Sequence, residues 1–363
     1  MKRNNELRLH IVNVGHGDSI LVEFPDCTAN GLAKVRFGLV DAGGEAPATK
    51  KTLNYLKAFL DYRLEGDDNG YIFEFICLTH PHHDHYVGML DVLEFFSGTG
   101  NEDDLPRQFW DCGFRYNTLG YLNILNFLYS HPRIQFMRIT AGTEFHYDDV
   151  EVVALAPSMD LRNRYDTYGV ELNNASIVLR ITRSKGVAVL AGDAHFDSWG
   201  KICEEFPRKK HMIYPPDAKT KDPGHQRLVF TSLEDQLNCQ FLKVAHHGSK
   251  NGTTYEYLDK LRPNRFAITC KEDRLYKNSW QGKFPHPITR RIISEVTKHT
   301  MLGPDVIPTL ADLNQGHKVC DSATHGSLVY TITKGGRVNA PACLNDKVNE
   351  GFNALKTKLD AEL

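Results

Sequence analysis

Within Thr79-His80-Pro81-His82-His83-Asp84-His85, four of the chain's 17 histidines stand beside one aspartate. Imidazole and carboxylate are the ligands that suit zinc, manganese or iron. On an extended turn, residues two apart point to the same side, so His80 and His82 can share one ion while Asp84 and His85 serve a second. Two divalent ions a few ångströms apart also need a bridging carboxylate, further neutral imidazoles and room for a water. Asp193 is the expected bridge, and one of the adjacent pair His246 and His247 is the expected last imidazole. His246 is preferred, as a ligand of the second ion, because it continues directly from a strand. His247 would then donate to a substrate phosphate or sit packed and hydrogen-bonded. The chemistry so predicted is hydrolysis: a water between two ions, its pKa lowered to ~7, attacks while the ions hold the substrate oxygens. Asp84, Asp193, His247 and His286 are the side chains expected to serve that step.

Such groups must be delivered by something rigid. Ile72 to Leu78 is a short apolar run that reads as a buried strand, and the histidines begin where it should end. Val35 to Val40 leads into Asp41-Ala42-Gly43-Gly44, Gly186 to Ala191 into Asp193, and Phe241 to Ala245 into His246. In layered sheets ligands gather beyond the strand ends, so this recurrence describes the rim of a site. Asp41 is expected behind the ligands, accepting an imidazole N–H and fixing its tautomer, although it can also be a turn former. Asp18, Asn174 and Ser249 are expected in the same supporting layer. His286, between Pro285 and Pro287, is a substrate contact or a rigid turn; His16 and His195 read as polar rim.

Leu7 to Val14 and Ser19 to Phe24, joined by a turn with two glycines, predict a hairpin. Leu53, Leu56, Leu60 and Leu64 predict a helix over 50–64, and further helices are expected near 86–96, 119–128, 288–298 and 346–361. Strands are expected at 150–157, 177–182, 265–270 and 328–333. This order predicts a layered α/β fold in one domain over 1–363, with no linker to divide it. Pro207 to Phe230 is basic and proline-rich and reads as an inserted surface loop, a place for a protein partner.

The net charge of -2 gives no global basic footprint, so any nucleic-acid affinity must come from local groups such as Arg208-Lys209-Lys210, Lys250 or Arg290-Arg291. Eight singly scattered cysteines, with no Cys-x-x-Cys, predict reduced thiols in a cytoplasmic protein. No stretch has a signal-peptide core or approaches the roughly 18 to 20 apolar residues of a membrane span, so neither export nor membrane association is expected.

The His80 cluster resembles the signature of the metallo-β-lactamase superfamily. Together with Val12-Asn13-Val14-Gly15-His16-Gly17-Asp18-Ser19, Leu39-Val40-Asp41-Ala42-Gly43, Asn174-Ala175-Ser176, Leu190-Ala191-Gly192-Asp193, Val244-Ala245-His246-His247-Gly248-Ser249 and Phe284-Pro285-His286-Pro287, the chain from roughly 7 to 335 looks like the soluble domain of the ComEC-type competence proteins and their stand-alone relatives. That resemblance implies a four-layer αββα sandwich with two mixed sheets, two divalent ions (zinc first, manganese in its place), and hydrolysis of a phosphodiester, DNA or RNA included. Hydrolysis at carbon, of a lactone, amide or thioester, is the alternative on the same ions, and a partner-binding module without chemistry is another. The chain departs from the pattern at His16, where many relatives carry Gln. It also lacks a clear match to the separate histidine that completes the first ion's site, for which Asp111, His131, His146 or water are the candidates.

Overall fold

The computed structural model describes residues 1–44, 50–66, 70–162, 171–206, 210–213, 227–230, 237–270, 284–298, 307–314 and 318–344. The expected 346–361 helix and most of the 207–230 insert lie outside them. Strands β1 (Leu7–Ile11), β2 (Ser19–Ala29), β3 (Leu32–Ala42), β4 (Tyr71–Leu78), β5 (Gln108–Asp111) and β6 (Gln135–Arg138) enter one sheet. A second sheet takes β7 (Glu144–Tyr147), β8 (Val150–Ala156), β9 (Val178–Arg183) and β10 (Gly186–Leu190). Within the insert, β11 (Lys210–Ile213) and β12 (Arg227–Phe230) pair as a separate antiparallel ribbon. Next, β13 (Phe241–Lys243), β14 (Arg265–Ile268) and β15 (Val319–Asp321) extend the second sheet, and β16 (Leu328–Ile332) and β17 (Ala342–Cys343) return to the first.

Among the described residues the first sheet runs β17-β16-β1-β2-β3-β4-β5-β6 and the second β15-β14-β13-β10-β9-β8-β7. Both are mixed. In each, an antiparallel set adjoins a parallel set, β3 to β6 in the first and β10 with β13 to β15 in the second. Parallel neighbours need long crossovers, which helices supply. The described helices are α1 (Lys51–Leu64), α2 (His83–Tyr86), α3 (Met89–Ser97), α4 (Leu119–Ser130), α5 (Phe196–Glu205), α6 (Tyr255–Leu261), α7 (Pro287–Lys298), α8 (Leu310–Leu313) and α9 (Ser322–His325).

Three apolar cores separate these layers. Leu9, Phe24, Trp110, Leu179, Phe241 and Tyr330 fill the space between the sheets. Phe37, Leu39, Phe73, Leu56, Phe59 and Leu93 join the first sheet to α1 and α3, and Val189, Phe266, Trp199, Leu258 and Ile293 join the second sheet to α5, α6 and α7. Three cores require four layers, so the chain is the αββα sandwich with two mixed sheets that its sequence predicts. In the central core Phe75 stacks on Trp110 at 3.9 Å; truncating Trp110 would cost about 3–5 kcal/mol.

One expected element divides. The helix anticipated near 86–96 is two, α2 and α3, because the Gly88 N–H leaves the helical ladder and donates to the Ala42 carbonyl at 2.8 Å. The Asp84 carbonyl instead accepts the Asp18 N–H at 3.2 Å. The break therefore clamps the histidine loop to the ends of β2 and β3. Gly43 makes the clamp possible: a Cβ there would meet the Asp84 carbonyl oxygen at 1.7 Å.

Candidate metal centre

Four strand ends and their loops converge. Beyond β4 the chain carries His80 to His85, the end of β3 carries Asp41, beyond β10 lies Asp193, and beyond β13 a tight turn, Ala245–Gly248. Ligand atoms of Asp84, His85, Asp193 and His247 all lie within 4.8 Å of one another, and those of His80, His82 and Asp193 do likewise. Asp193 belongs to both groups. Its Oδ2 is 3.3 Å from His85 Nε2, 3.6 Å from His246 Nε2 and 3.8 Å from His80 Nε2, while Oδ1 is 3.9 Å from His247 Nε2. The carboxylate is thus common to the two groups.

Each ring on the Asp84 side is held from behind. The Asp41 carboxylate accepts the Thr79 N–H at 2.8 Å, the Thr79 hydroxyl at 2.7 Å and His85 Nδ1–H at 2.8 Å, which turns His85 Nε2 inward. His247 Nδ1 lies 2.9 Å from the Thr269 carbonyl, to which it donates, so its Nε2 faces Asp84 Oδ2 at 3.4 Å. Thr269 in turn donates its hydroxyl to Asp18 at 2.6 Å, and the buried Lys243 ammonium pairs with the same carboxylate. Orienting partners of this kind set both tautomer and basicity of a ligand.

The His80 side is more open. His80 Nδ1 has the Ser176 hydroxyl at 3.3 Å, and its Nε2 lies 2.9 Å from His82 Nδ1. His246 Nδ1 lies 2.6 Å from His195 Nε2, and His195 Nδ1 donates to Glu171 at 2.8 Å. With His195 fixed as an Nδ1–H tautomer, its Nε2 accepts from His246, which leaves the His246 Nε2 lone pair towards Asp193.

Electrostatics agree with a cation site. Four carboxyl groups (Asp18, Asp41, Asp84, Asp193) face one ammonium, Lys243, and all but Asp84 are buried. Burial alone would lower His85, but the carboxylates of Asp193 and Asp41 hold it well above the ordinary imidazole range, so positive charge is favoured at that point. Burial holds His80 well below that range and His246 down to about 4, which keeps both neutral, the form that ligates metal. Burial would raise Asp84, yet His247 and His85 keep it well below the usual carboxylate range. His85 Nε2, Asp193 Oδ1 and His247 Nε2 are buried and make no hydrogen bond. Buried polar atoms are nearly always satisfied, so three orphans at one point fit a cation.

No family model and no curated protein matches this sequence. Among solved structures, the chain is similar to a long-form RNase Z from yeast, with 13% identity over 99% of this chain and 44% of that one at a TM-score of 0.43. It is also similar to a variant of the CmlA beta-hydroxylase, with 12% identity over 83% of this chain and 52% of that one at 0.41. The metallo-beta-lactamase fold protein YhfI from Bacillus subtilis matches with 12% identity over 72% of this chain and 86% of that one at 0.39. The chain spans about half the length of the first and second of these. Likenesses at this level carry no argument about its activity.

His247, not His246, lies in the group with Asp84 and His85. The two residues and Gly248 take left-handed φ values of 47°, 51° and 84°, so the turn does not extend the strand and His247 points inward, fully buried. Gly248 also admits the 284–287 loop, since a Cβ there would meet Pro285 at 2.5 Å. Asp111, His131 and His146 do not approach His80 and His82. Asp111 accepts from Gly113 N–H and the Tyr121 hydroxyl, His131 stacks on Phe127, and His146 pairs with Glu144 on the surface. Asn174 is spent on α5, accepting the Ser198 N–H at 3.1 Å, and the Ser249 hydroxyl accepts the Asn251 N–H at 3.3 Å; both stabilise loops beside the ligands. His286 accepts the Ile288 N–H at 3.2 Å at the start of α7, with its backbone N–H on the Gly248 carbonyl. His16 Nε2 lies 3.4 Å from Asp84. Sequence reading missed Lys243 and Thr269, whose only signal is a lysine inside an apolar strand and a threonine just past another, and it placed His195 merely on the rim.

Proposed function

We propose that this chain is a dinuclear metal-dependent hydrolase of phosphodiesters, nucleic acid among them, as the resemblance to the ComEC-type domain implies. We further read it as a single domain working in the cytoplasm with zinc, or manganese in its place. The convergence of three orphaned buried ligand atoms, His85 Nε2, Asp193 Oδ1 and His247 Nε2, carries the reading. His80, His82, His246 and Asp193 would hold one ion, and Asp84, His85, His247 and Asp193 the other. Two such ions, when bound, acidify a water and polarise the substrate's phosphoryl oxygens.

The chain's own residues supply the rest. Asp41 keeps the proton on His85 Nδ1 and the Thr269 carbonyl keeps that on His247 Nδ1, so both Nε2 lone pairs stay aimed inward. Lys243 and Thr269 hold Asp18, which braces the His247 side without facing the substrate. His80, His85, His247 and Asp193 are closed to solvent, and access runs past Asp84, whose side chain is 25% exposed, and His246, which is 20% exposed. Lys250 and Arg290 stand near enough to His286 to lower its pKa after burial has done so, which gives that lip a positive field suited to an anionic substrate.

The test is metal content by elemental analysis beside assays with zinc or manganese on bis-p-nitrophenyl phosphate, single-stranded DNA and a lactone. We expect two ions per chain and turnover of the phosphodiester that falls on the order of a thousandfold in Asp193→Ala and His82→Ala. Turnover of the lactone alone would move the activity to carbon, and turnover that survives both substitutions would end the two-ion mechanism.

A further inference from the structure

A second concavity opens beside the His80 side of the centre. It measures about 610 Å³ and lies between the 111–121 segment, α4 and β6. Its floor is buried, at Asp111, Tyr121 and Leu128, and its lip is apolar and open: Tyr116, Leu122 and Phe136 are 38–41% exposed and Tyr129 is 92% exposed. Grouped exposed rings of this kind mark a binding surface more often than chance exposure does. Its volume falls in the range of small-molecule sites.

Two features identify the occupant. The groove adjoins the metal centre, because the Tyr116 ring, part of its wall, meets the His82 ring edge-on at 5.9 Å. It also carries positive charge, since Arg115 and Arg138 line it, Arg138 near enough to Asp111 to oppose the rise that burial gives its pKa. Asp111, the one acid among the described lining residues, is turned to the floor, where the Gly113 N–H and the Tyr121 hydroxyl occupy its two oxygens at 2.6 and 2.9 Å. Flat aromatic walls with two arginines, beside the proposed phosphodiester-cleaving centre, match a flat heteroaromatic ring that carries phosphate. Bases stack on such rings with little regard for sequence.

We propose that this groove is the subsite for one nucleotide unit of the substrate, with the base against Tyr116 and its apolar neighbours and a flanking phosphate at Arg115 and Arg138. The assignment deepens the phosphodiesterase reading above and rests on it for the orientation of the substrate, but the binding itself needs no turnover.

Calorimetric titration of the full chain, free of metal, with thymidine 5′-monophosphate and separately with inorganic phosphate tests it. The nucleotide should bind at least about tenfold tighter than phosphate, and Tyr116→Ala should weaken it on the order of tenfold while Tyr116→Phe retains it. Phe136→Ala, on β6, gives an independent loss, with circular dichroism verifying that each variant is folded. A nucleotide that binds no tighter than phosphate, or folded variants that bind it as wild type does, overturns the proposal. Protein that hydrolyses bis-p-nitrophenyl phosphate but shows no preference for the nucleotide removes the groove alone. Tyr116-dependent nucleotide binding without hydrolysis under zinc or manganese upholds the groove and removes the reading it was attached to.

Discussion

Two buried polar clusters in this molecule solve the same problem in opposite ways. Beneath α1, Glu23 is paired with Arg63 and with Arg8 at 3.4 Å, His10 Nε2 lies 3.0 Å from it, and Arg63 reaches on to Asp26 at 2.5 Å. Two acids meet two guanidinium groups, and the cluster is neutral in itself apart from one unbonded atom, Arg63 Nε. Around Asp193, four carboxyl groups meet one lysine, and three of the crowded ligand atoms, His85 Nε2, Asp193 Oδ1 and His247 Nε2, make no hydrogen bond. A buried charge network closed by the chain's own cations is structural; one left acidic and unsatisfied is built for a cation from outside.

The contrast can be broken by stability measurements, where the largest difference is expected. Arg63→Ala leaves Glu23 buried without its main partner and should cost about 3–5 kcal/mol in denaturant unfolding. Asp193→Asn in metal-free protein should cost about 1 kcal/mol or less, or add stability, because it removes a crowded acceptor. Equal losses would erase the distinction between the clusters.

Metal sharpens it next. Zinc at a hundred times its dissociation constant should raise unfolding stability by about 2.7 kcal/mol, a gain that EDTA reverses and Asp193→Ala abolishes. Arg63→Ala, if folded, should keep the full gain in a thermal shift. A smaller effect is expected from Asp41→Asn, which frees His85 to rotate and should weaken zinc about 10- to 100-fold in competition with a chromophoric chelator. Glu171→Gln, at the exposed end of the His195–His246 chain, should weaken it less; the reverse order would mean that the open side carries the tighter ion.

The smallest effect is a pH dependence confined to the closed cluster. Burial would raise Glu23, but Arg63 and Arg8 hold it far below the usual carboxylate range. A carboxylate depressed in the folded state binds fewer protons there than in the unfolded chain, so it contributes stability above the unfolded pKa of about 4.3 and loses it as pH falls further. The stability difference between wild type and Glu23→Gln should therefore be constant from pH 7 to 5 and shrink below about 4.3. A difference that shrinks between pH 7 and 5 would assign the effect to another group.

Much of the centre is legible in the chain because its signals are local. His80, His82, Asp84 and His85 lie within six residues, so one strand end delivers them together whatever the rest of the fold does. Asp41 and Asp193 announce themselves as acids directly after apolar strands, and the short apolar runs that mark the strands also mark their ends. The choice between His246 and His247 was not legible, since neighbours alternate sides only on extended backbone and the left-handed turn there follows from packing against the 284–287 loop. The helix break at Gly88 was hidden for the same reason: its N–H has a partner, Ala42, from another strand.

The sequence by itself determined the layered α/β class, the strand-end positions of the histidines and acids, and the metal-ligating character of the cluster, because all of these depend on residue type and short spacing. Tertiary structure alone decided which imidazole faces which carboxylate, that Lys243 is buried against Asp18 225 positions away, and that Tyr116 opens a groove beside His82. Those are matters of distance in space, and distance in space between remote segments is set by how the two sheets pack on their shared core.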